Sequence, residues 1–292
     1  MTRLFNFDAR QYASTFASEG YAYIPEGLSE EFHALLTKQV EEYVQRNRLE
    51  NFTLTHMQQS LYEFPQDQDY LRQLFEAVGA VAGLDPDKMV LSERHIKAYE
   101  SDANPNPRPH KDRFASEVSI GFSVQVPKGS TLVLYPYDDV SVNPFNTAAD
   151  LPASLPAHQQ PEETLKEAQR IEIQDAPRDV VMFRGHSIWH LRTQSADTTM
   201  VYLKLNTFNC DPLGEDPSTP DVTQRTKELL ALPDGELEKM IPLVGRRVDY
   251  VQRRYNRDWQ EVIGVMLWGQ KHLTIDEKEL RALQAMNGQR TV

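Results

Sequence analysis

Cysteine is almost absent from this sequence: Cys210 is the single example in 292 residues. One cysteine excludes an intrachain disulfide and any metal site built from several cysteines. Asp211 follows it directly, and a neighbouring carboxylate raises the pKa of a thiol rather than activating it. We therefore interpret Cys210 as a structural residue.

Long hydrophobic runs are also missing, since no stretch approaches the roughly 18 apolar residues that span a bilayer. The first eight residues lack the apolar core of a signal peptide, so we expect a cytoplasmic protein with no membrane role. Positive charge is scarce, with 31 Lys and Arg against 43 Asp and Glu and a net charge of −12. This balance argues against a general grip on nucleic acid but allows a local basic pocket for a small anion.

The spacing of apolar residues predicts that the first ninety residues are mostly helical. Helices are predicted over 8–18, from an N-cap at Ser29 onward, and over 68–83, with a short strand at 21–25. We expect these helices to support a sheet rather than to perform chemistry.

From residue 89 the pattern changes to short strands separated by turns. Seven are predicted, over 89–99, 116–126, 131–135, 170–173, 180–183, 188–192 and 198–205. Short strands without intervening helices favour a double-sheet or barrel-like β architecture. A Pro- and Asp-rich insertion at 137–169 is longer than a hairpin turn, and loops of that size are usually functional.

A helical pattern returns after the proline-rich segment 212–220, which we expect to be a domain boundary. Helices are predicted over 222–232, 253–267 and 275–286. The last of them has Thr274 as its N-cap and Glu277 three residues later, which is a capping-box pattern.

The sequence thus predicts a mainly β, α+β domain over 1–212, with its β core at about 89–206. The C-terminal part, 213–292, is expected to be a helical segment or a small domain.

The tripeptide His110-Lys111-Asp112 offers two metal ligands on one side of the chain. In an extended backbone, residues i and i+2 point the same way, so His110 and Asp112 can present a nitrogen and an oxygen to one ion. A later segment supplies a third ligand, for which His190 is favoured and His186 competes. Two histidines and one carboxylate, with open positions opposite, suit non-heme Fe(II) oxygenases.

These motifs, and the Asp-hydrophobic-Phe pattern at 179–183 before the distal histidine, resemble those of the Fe(II)/2-oxoglutarate-dependent oxygenases. The closest resemblance is to the phytanoyl-CoA dioxygenase-like group, over about 92–206. It implies a double-stranded β-helix, the jelly-roll or cupin-like fold, with N-terminal supporting helices. It further implies that His110, Asp112 and His190 bind Fe(II), with 2-oxoglutarate and O₂ as cosubstrates.

Asp112 also bears on the type of reaction. Halogenating members of the family carry a small residue in place of this carboxylate, so its presence implies hydroxylation or a related C–H oxidation of a small organic molecule.

The family usually places a basic residue about ten positions after the distal histidine, because the remote carboxylate of 2-oxoglutarate needs a charged partner. No arginine occupies that region here. The candidates for holding the cosubstrate are the cations Lys204, Arg192 and Lys97 and the hydroxyls of Thr199 and Tyr202.

Aromatic residues near the motifs are the candidates for the substrate pocket. They are Tyr99, Tyr135, Tyr137 and Trp189. The insertion at 137–169 is expected to form a lid or a substrate wall.

Two other functions fit the same residues. One is a cupin-like metal enzyme that does not use 2-oxoglutarate, which the missing arginine favours. The other is a non-catalytic β-barrel with a binding or regulatory role, in which the histidines are incidental. The sequence names neither a substrate nor an oligomeric state.

Overall fold

The computed structural model describes residues 2–50, 56–65, 68–218, 231–240, 248–255, 261–267 and 271–286. The chain divides into two compact units, Met1–Pro212 and Leu213–Val292. None of the helices in the described part has the length and apolar character needed to cross a membrane.

Three helices precede the main strands of the first unit: α1 (Arg10–Glu19), α2 (Glu30–Glu50) and α3 (Tyr70–Ala82). The predicted helices are confirmed. The Ser29 hydroxyl accepts a 3.1 Å hydrogen bond from the Phe32 N–H and so caps α2. Gly20 ends α1 with a φ of 76°, where its N–H donates to the Phe16 carbonyl.

The described residues of the first unit include nine strands: β1 (Tyr21–Ile24), β2 (Met57–Leu61), β3 (Val90–Tyr99), β4 (Val118–Gln125), β5 (Thr131–Tyr135), β6 (Ile171–Ile173), β7 (Val180–Phe183), β8 (Trp189–Thr193) and β9 (Thr199–Asn206). The predicted strands are confirmed, and β2 was not predicted. All pairings are antiparallel. A six-stranded sheet has the order β1-β7-β4-β9-β3-β2, and a three-stranded sheet has the order β6-β5-β8.

One face of the large sheet packs against the N-terminal helices. Ile120 and Phe122 of β4 lie in this core with Phe32 of α2 and Leu74 of α3. Side chains point alternately to the two faces of a strand, so Ser119, which precedes Ile120, points to the other face of the sheet. That opposite face is where the polar residues of the site are found.

The two sheets face each other. Leu132 and Leu134 of β5 pack against Val181 and Phe183 of β7 in a second apolar cluster. The insertion between β5 and β6 contains α4 (Asp150–Ser154), a 3₁₀ turn (Ala157–Gln159) and α5 (Pro161–Thr164). Leu165 and its neighbours cover the outer face of the small sheet.

The second unit contains a short helix, a three-stranded sheet and a terminal helix. Its elements are α6 (Asp234–Leu237), β10 (Val248–Tyr255), β11 (Glu261–Leu267), β12 (Lys271–Ile275) and α7 (Glu277–Ala285). The sheet order is β10-β11-β12. The helix predicted at 275–286 is confirmed as α7.

Two predictions for this unit are wrong. The helix predicted over 253–267 is replaced by parts of β10 and β11, where branched residues such as Val262, Ile263 and Val265 pair with neighbouring strands. The capping box is built by Asp276 and Glu279 instead of Thr274 and Glu277, because the chain up to Ile275 is in β12. The predicted helix at 222–232 lies almost wholly outside the described residues.

Candidate active site

The two segments that carry the predicted ligands lie side by side. His110 and His190 exchange two backbone hydrogen bonds of 2.9 Å each, and their rings are 4.4 Å apart between centroids. The Asp112 N–H donates to the Gly185 carbonyl at 2.9 Å. Backbone pairing alone therefore brings together residues that are far apart in the sequence.

His110, Asp112 and His190 form a compact group of metal-binding atoms. One ligand atom from each lies within 4.8 Å of the others. His190 Nδ1 is 2.9 Å from the Ile188 carbonyl oxygen, so Nδ1 carries the proton and the Nε2 lone pair remains for a metal. His186 is not in this group, and its Nδ1 contacts the Ser187 hydroxyl at 2.8 Å.

Burial sets the protonation of the three side chains. It lowers the pKa of His190 to about 3, with the nearby His110 adding to the effect. It also lowers the pKa of His110. Burial alone would raise the pKa of the Asp112 carboxyl, but Lys204 and the two imidazoles hold it well below its usual range. At neutral pH the group is therefore two neutral imidazoles and one carboxylate, the forms that bind metals.

The Asp112 carboxylate is oriented by direct contacts to Oδ2. The Ser119 hydroxyl donates to Oδ2 at 2.6 Å, and the Lys204 ammonium contacts the same oxygen. Gly185 leaves the space that the carboxylate occupies, since a Cβ there would lie 2.6 Å from Oδ2 and 1.8 Å from Ser119 Oγ. The site thus requires a glycine at this position.

The insertion is fastened to the ligand segment at two points. Asn143, fully buried, donates from Nδ2 to the Asp112 carbonyl at 2.9 Å and from its backbone N–H to the His186 carbonyl at 2.7 Å. Lys111, also buried, donates from Nζ to the Ser141 carbonyl at 2.7 Å. The start of the insertion is therefore fixed beside the ligands.

The three candidate cations for the cosubstrate differ in their partners. Arg192 is buried and bonded to both carboxylate oxygens of Asp175 at 2.9 Å. Lys204 contacts Asp112. Lys97 is partly buried with its ammonium 5.4 Å from the centre of the Tyr202 ring, and no hydrogen bond or ion pair to another described residue is seen. Burial lowers the pKa of Lys97, which Glu93 opposes.

The candidate hydroxyl and aromatic residues are divided between two faces. Tyr202 lies in the interior, where its hydroxyl is 3.3 Å from Arg192 Nε, and Tyr99 contacts it. Burial raises the pKa of Tyr99. Thr199 lies on the other side of β9, at a cavity of about 410 Å³ beside α2.

Three of the aromatic candidates are not brought to the interior. Trp189 and Tyr135 pack on the outer face of the small sheet, opposite to His190. Tyr137 is exposed at the start of the insertion, with its hydroxyl bonded to Glu19.

Several residues of the site were not singled out from the sequence. The sequence pattern could have identified Ser119, because it is one of the small or polar residues that alternate with the apolar residues Ile120 and Phe122 in β4. Asp175 and Asn143 lie in loops, where no periodic pattern points to their role.

No protein-family model matches this sequence, and no curated protein matches it either. Solved structures give low similarities. The epimerase SnoN, solved with Fe³⁺, alpha ketoglutarate and nogalamycin RO, is 15% identical with a TM-score of 0.48, covering 72% of this chain and 91% of SnoN. A Pseudomonas putida prolyl-4-hydroxylase is 12% identical with a TM-score of 0.43, covering 70% and 96%.

HygX from Streptomyces hygroscopicus, solved with nickel and 2-oxoglutarate, is 10% identical with a TM-score of 0.44, covering 68% of this chain and 87% of HygX. Similarity at this level transfers no residue role and no substrate, so the geometry of the site has to carry the functional assignment.

Proposed function

We propose that this chain is an Fe(II)- and 2-oxoglutarate-dependent oxygenase that oxidises a C–H bond of a small organic molecule. His110, Asp112 and His190 are the proposed iron ligands. The observation that carries the proposal is their grouping within 4.8 Å. The lowered pKa values of both histidines and of the aspartate favour the neutral imidazoles and the carboxylate that bind a metal. This donor set is the one that non-heme Fe(II) oxygenases use.

The path of the chain supports a double-stranded β-helix. Counting the 110–112 segment, which pairs with β8 through the His110–His190 bridge, eight strands run from β3 to β9. They alternate between the large and the small sheet, except where β5 and β6 follow each other in the small sheet. Such winding between two facing sheets is the jelly-roll arrangement.

The charges of the interior support an anionic cosubstrate. Among the described cations Lys97, Arg113, Arg192 and Lys204, three are paired with carboxylates: Arg192 with Asp175, Lys204 with Asp112, and Arg113 with Glu93. Lys97 is the fourth, and the described residues provide no carboxylate in contact with it. A partly buried, unpaired ammonium is stabilised by an anion. We therefore assign the remote carboxylate of 2-oxoglutarate to Lys97, beside the Tyr202 ring.

Arg192 is not available for this role, although its position near the ligands suggests it. Its guanidinium already bonds Asp175, Ser130 and Tyr202. The Asp175 carboxylate thus accepts the Arg192 hydrogen bonds that a carboxylate of 2-oxoglutarate could otherwise accept.

Bound iron would supply O₂ activation, coupling the oxidative decarboxylation of 2-oxoglutarate to succinate and CO₂ with insertion of one oxygen atom into the substrate C–H bond. The residues of the site keep the proposed iron ligands in the charge state and orientation that metal binding requires. Burial keeps His110 and His190 neutral, and Ser119 and Lys204 hold the Asp112 carboxylate in one orientation.

An anaerobic titration tests the proposal. The full chain is titrated with Fe(II) and then with 2-oxoglutarate, and a weak visible charge-transfer band should appear only when both are present. His110→Ala should abolish the band, whereas His158→Ala, at an exposed histidine in the insertion, should keep it. Metal binding without the band would instead indicate an enzyme that does not use 2-oxoglutarate, and no metal binding would indicate a non-catalytic binding protein.

The assignment of Lys97 has its own test. In the Co(II)-loaded protein, Lys97→Met should weaken 2-oxoglutarate binding about tenfold or more in calorimetry, since a charge-assisted contact is lost. Binding of pyruvate, which lacks the remote carboxylate, should not change. Lys166→Met, at an exposed lysine, is the matched control. Equal 2-oxoglutarate affinity in the Lys97 variant would remove the assignment.

A further inference from the structure

Two lysine ammoniums lie near the same tyrosine ring but have different partners. Lys97 Nζ lies 5.4 Å and Lys204 Nζ lies 5.7 Å from the centre of the Tyr202 ring. Lys97 is the proposed partner of the remote carboxylate of 2-oxoglutarate. Lys204 instead contacts the carboxylate of Asp112, one of the three proposed iron ligands. The contacts of the two lysines thus indicate two different roles.

The Lys204 ammonium lies directly beside the ligand atoms. It contacts Oδ2 of Asp112, and this oxygen is 3.7 Å from His190 Nε2, the nitrogen proposed to bind iron. The Lys204 side chain is only 5% exposed, so little water screens its charge. A divalent ion bound by Asp112 and His190 would therefore have a buried positive charge close to it.

The backbone of Lys204 is fixed from both sides. β9 lies between β4 and β3 in the large sheet, where Lys204 pairs with Ser119 of β4 and with Glu93 of β3. The ammonium also donates to the Ser119 hydroxyl at 3.2 Å. The Glu93 carboxylate is held by His95 at 2.8 Å and by Arg113 at 3.1 Å. The strand pairing thus directs the ammonium to the ligand carboxylate.

This position does not suit the remote carboxylate of 2-oxoglutarate. The cosubstrate would bind the metal through its keto acid end, and two methylene groups separate that end from the remote carboxylate. A cation that contacts a metal ligand lies near the keto acid end of the molecule. The charge of Lys204 therefore acts on the metal and on the group bound directly to it.

The ammonium changes the balance of charge at the ligand group. A divalent ion held by a single carboxylate leaves an excess of positive charge, and the ammonium increases this excess. Like charges repel strongly where they are buried, so the ammonium opposes metal binding. The same excess of positive charge attracts an anionic ligand to the metal.

We propose that Lys204 is a positioning residue that sets the charge of the metal site through Asp112. It lowers the affinity of the site for a divalent metal alone and raises the affinity of the metal-bound site for the keto acid. The inference rests on the proposed function, because it concerns the proposed iron ligands. Lys204 thereby couples the two binding steps, since the anion offsets the charge that opposes the metal.

Binding measurements on Lys204→Met test this role. The variant keeps an apolar stem, and the Ser119 hydroxyl is left to orient the Asp112 carboxylate. Co(II) affinity, measured by competition with a chelator, should rise about tenfold or more. In the Co(II)-loaded variant, 2-oxoglutarate and pyruvate should both bind about tenfold more weakly, as measured by the change in the Co(II) absorption spectrum. Lys166→Met, at an exposed lysine, should change none of these affinities.

A second variant separates the charge of Lys204 from its hydrogen bond. Lys204→Gln has no charge but can still donate to the Asp112 carboxylate, so it should show the same changes as Lys204→Met. A damaged site would bind the metal more weakly, so tighter Co(II) binding together with weaker keto acid binding identifies an effect of charge.

Unchanged or weaker Co(II) binding in both variants would overturn the inference. A loss of 2-oxoglutarate affinity with unchanged pyruvate affinity would also overturn it, because that pattern, expected for Lys97→Met, would show that Lys204 holds the remote carboxylate. If the wild type binds no Co(II), the proposed function fails together with the inference. If the wild type binds Co(II) and both keto acids, and the two variants behave as the wild type does, the inference alone fails.

Discussion

His110 and His190 are joined by two reciprocal backbone hydrogen bonds, so the spacing of their rings is fixed by the protein chain itself. The rings reach a centroid separation of 4.4 Å through this pairing. Preorganised ligands lose little freedom when a metal binds. The pairing also places His190 in the group with His110 and Asp112, whereas the N–H of His186 pairs with the Ser116 carbonyl.

Gly185→Ala should weaken metal binding about tenfold or more, the usual cost of disturbing a group that orients a ligand. The new Cβ would lie 1.8 Å from Ser119 Oγ and 2.6 Å from Asp112 Oδ2, so the carboxylate would have to move. Competition with a chelator in a Co(II) titration measures the affinity. Gly235→Ala, where a Cβ would meet nothing within 4 Å, is the matched control. Wild-type affinity in Gly185→Ala would contradict the assigned geometry.

Lys111→Met should loosen the start of the insertion. The variant keeps the apolar stem but loses the bond to the Ser141 carbonyl and the cation near the Trp189 ring, 5.0 Å from its centroid. We expect amide hydrogen exchange over 137–145 to become several-fold faster, because the free energy of local opening is lower in the variant. Lys166→Met, in an exposed pair with Glu163, should leave exchange unchanged. Unaltered exchange in both variants would show that Lys111 does not anchor the segment.

Much of the first unit follows from local patterns. Ser29 and Gly20 begin and end helices as residues of their types do, and the strands from β3 to β9 follow the alternation of apolar residues. The His-x-Asp spacing placed two candidate ligands on one face, and burial together with Asp211 raises the pKa of Cys210, as expected for a structural thiol.

Other features depend on contacts between distant segments, which local patterns do not encode. The sequence offers both Lys97 and Arg192 as cations that could bind an anion. Only the fold shows that Arg192 already forms an ion pair with Asp175. In the second unit, strand pairing of β11 with two neighbours outweighed the helical pattern predicted over 253–267. Tertiary context overrides propensity in such cases.

Acidification should destabilise the metal-free protein between about pH 6.5 and pH 4.5. The pKa of His190 is about 3 in the folded protein, whereas an unfolded histidine has a pKa of about 6.5. The unfolded state therefore binds more protons in this window, so stability falls as pH falls. Burial lowers the pKa values of His110 and His186 as well, which acts in the same direction.

For His190 alone the loss at pH 5 is about 2 kcal/mol. Urea unfolding in the presence of a chelator, at pH 7 and pH 5, measures it. His190→Gln should show a smaller loss than wild type, whereas His158→Gln, at an exposed position, should show the full loss. An equal pH effect in His190→Gln would mean that the folded His190 is protonated at pH 5.

Asp175→Leu should reduce the free energy of unfolding by about 3 kcal/mol or more, because it leaves the buried, always charged Arg192 without its carboxylate. Urea unfolding measures the loss. The double variant Asp175→Leu/Arg192→Met should be more stable than Asp175→Leu alone, since removing both charges also removes the unpaired one. Glu162→Gln, which breaks an ion pair with Arg108 in which both side chains are nearly half exposed, should cost less than about 1 kcal/mol. Additive losses in the double variant would contradict a direct energetic coupling between Asp175 and Arg192.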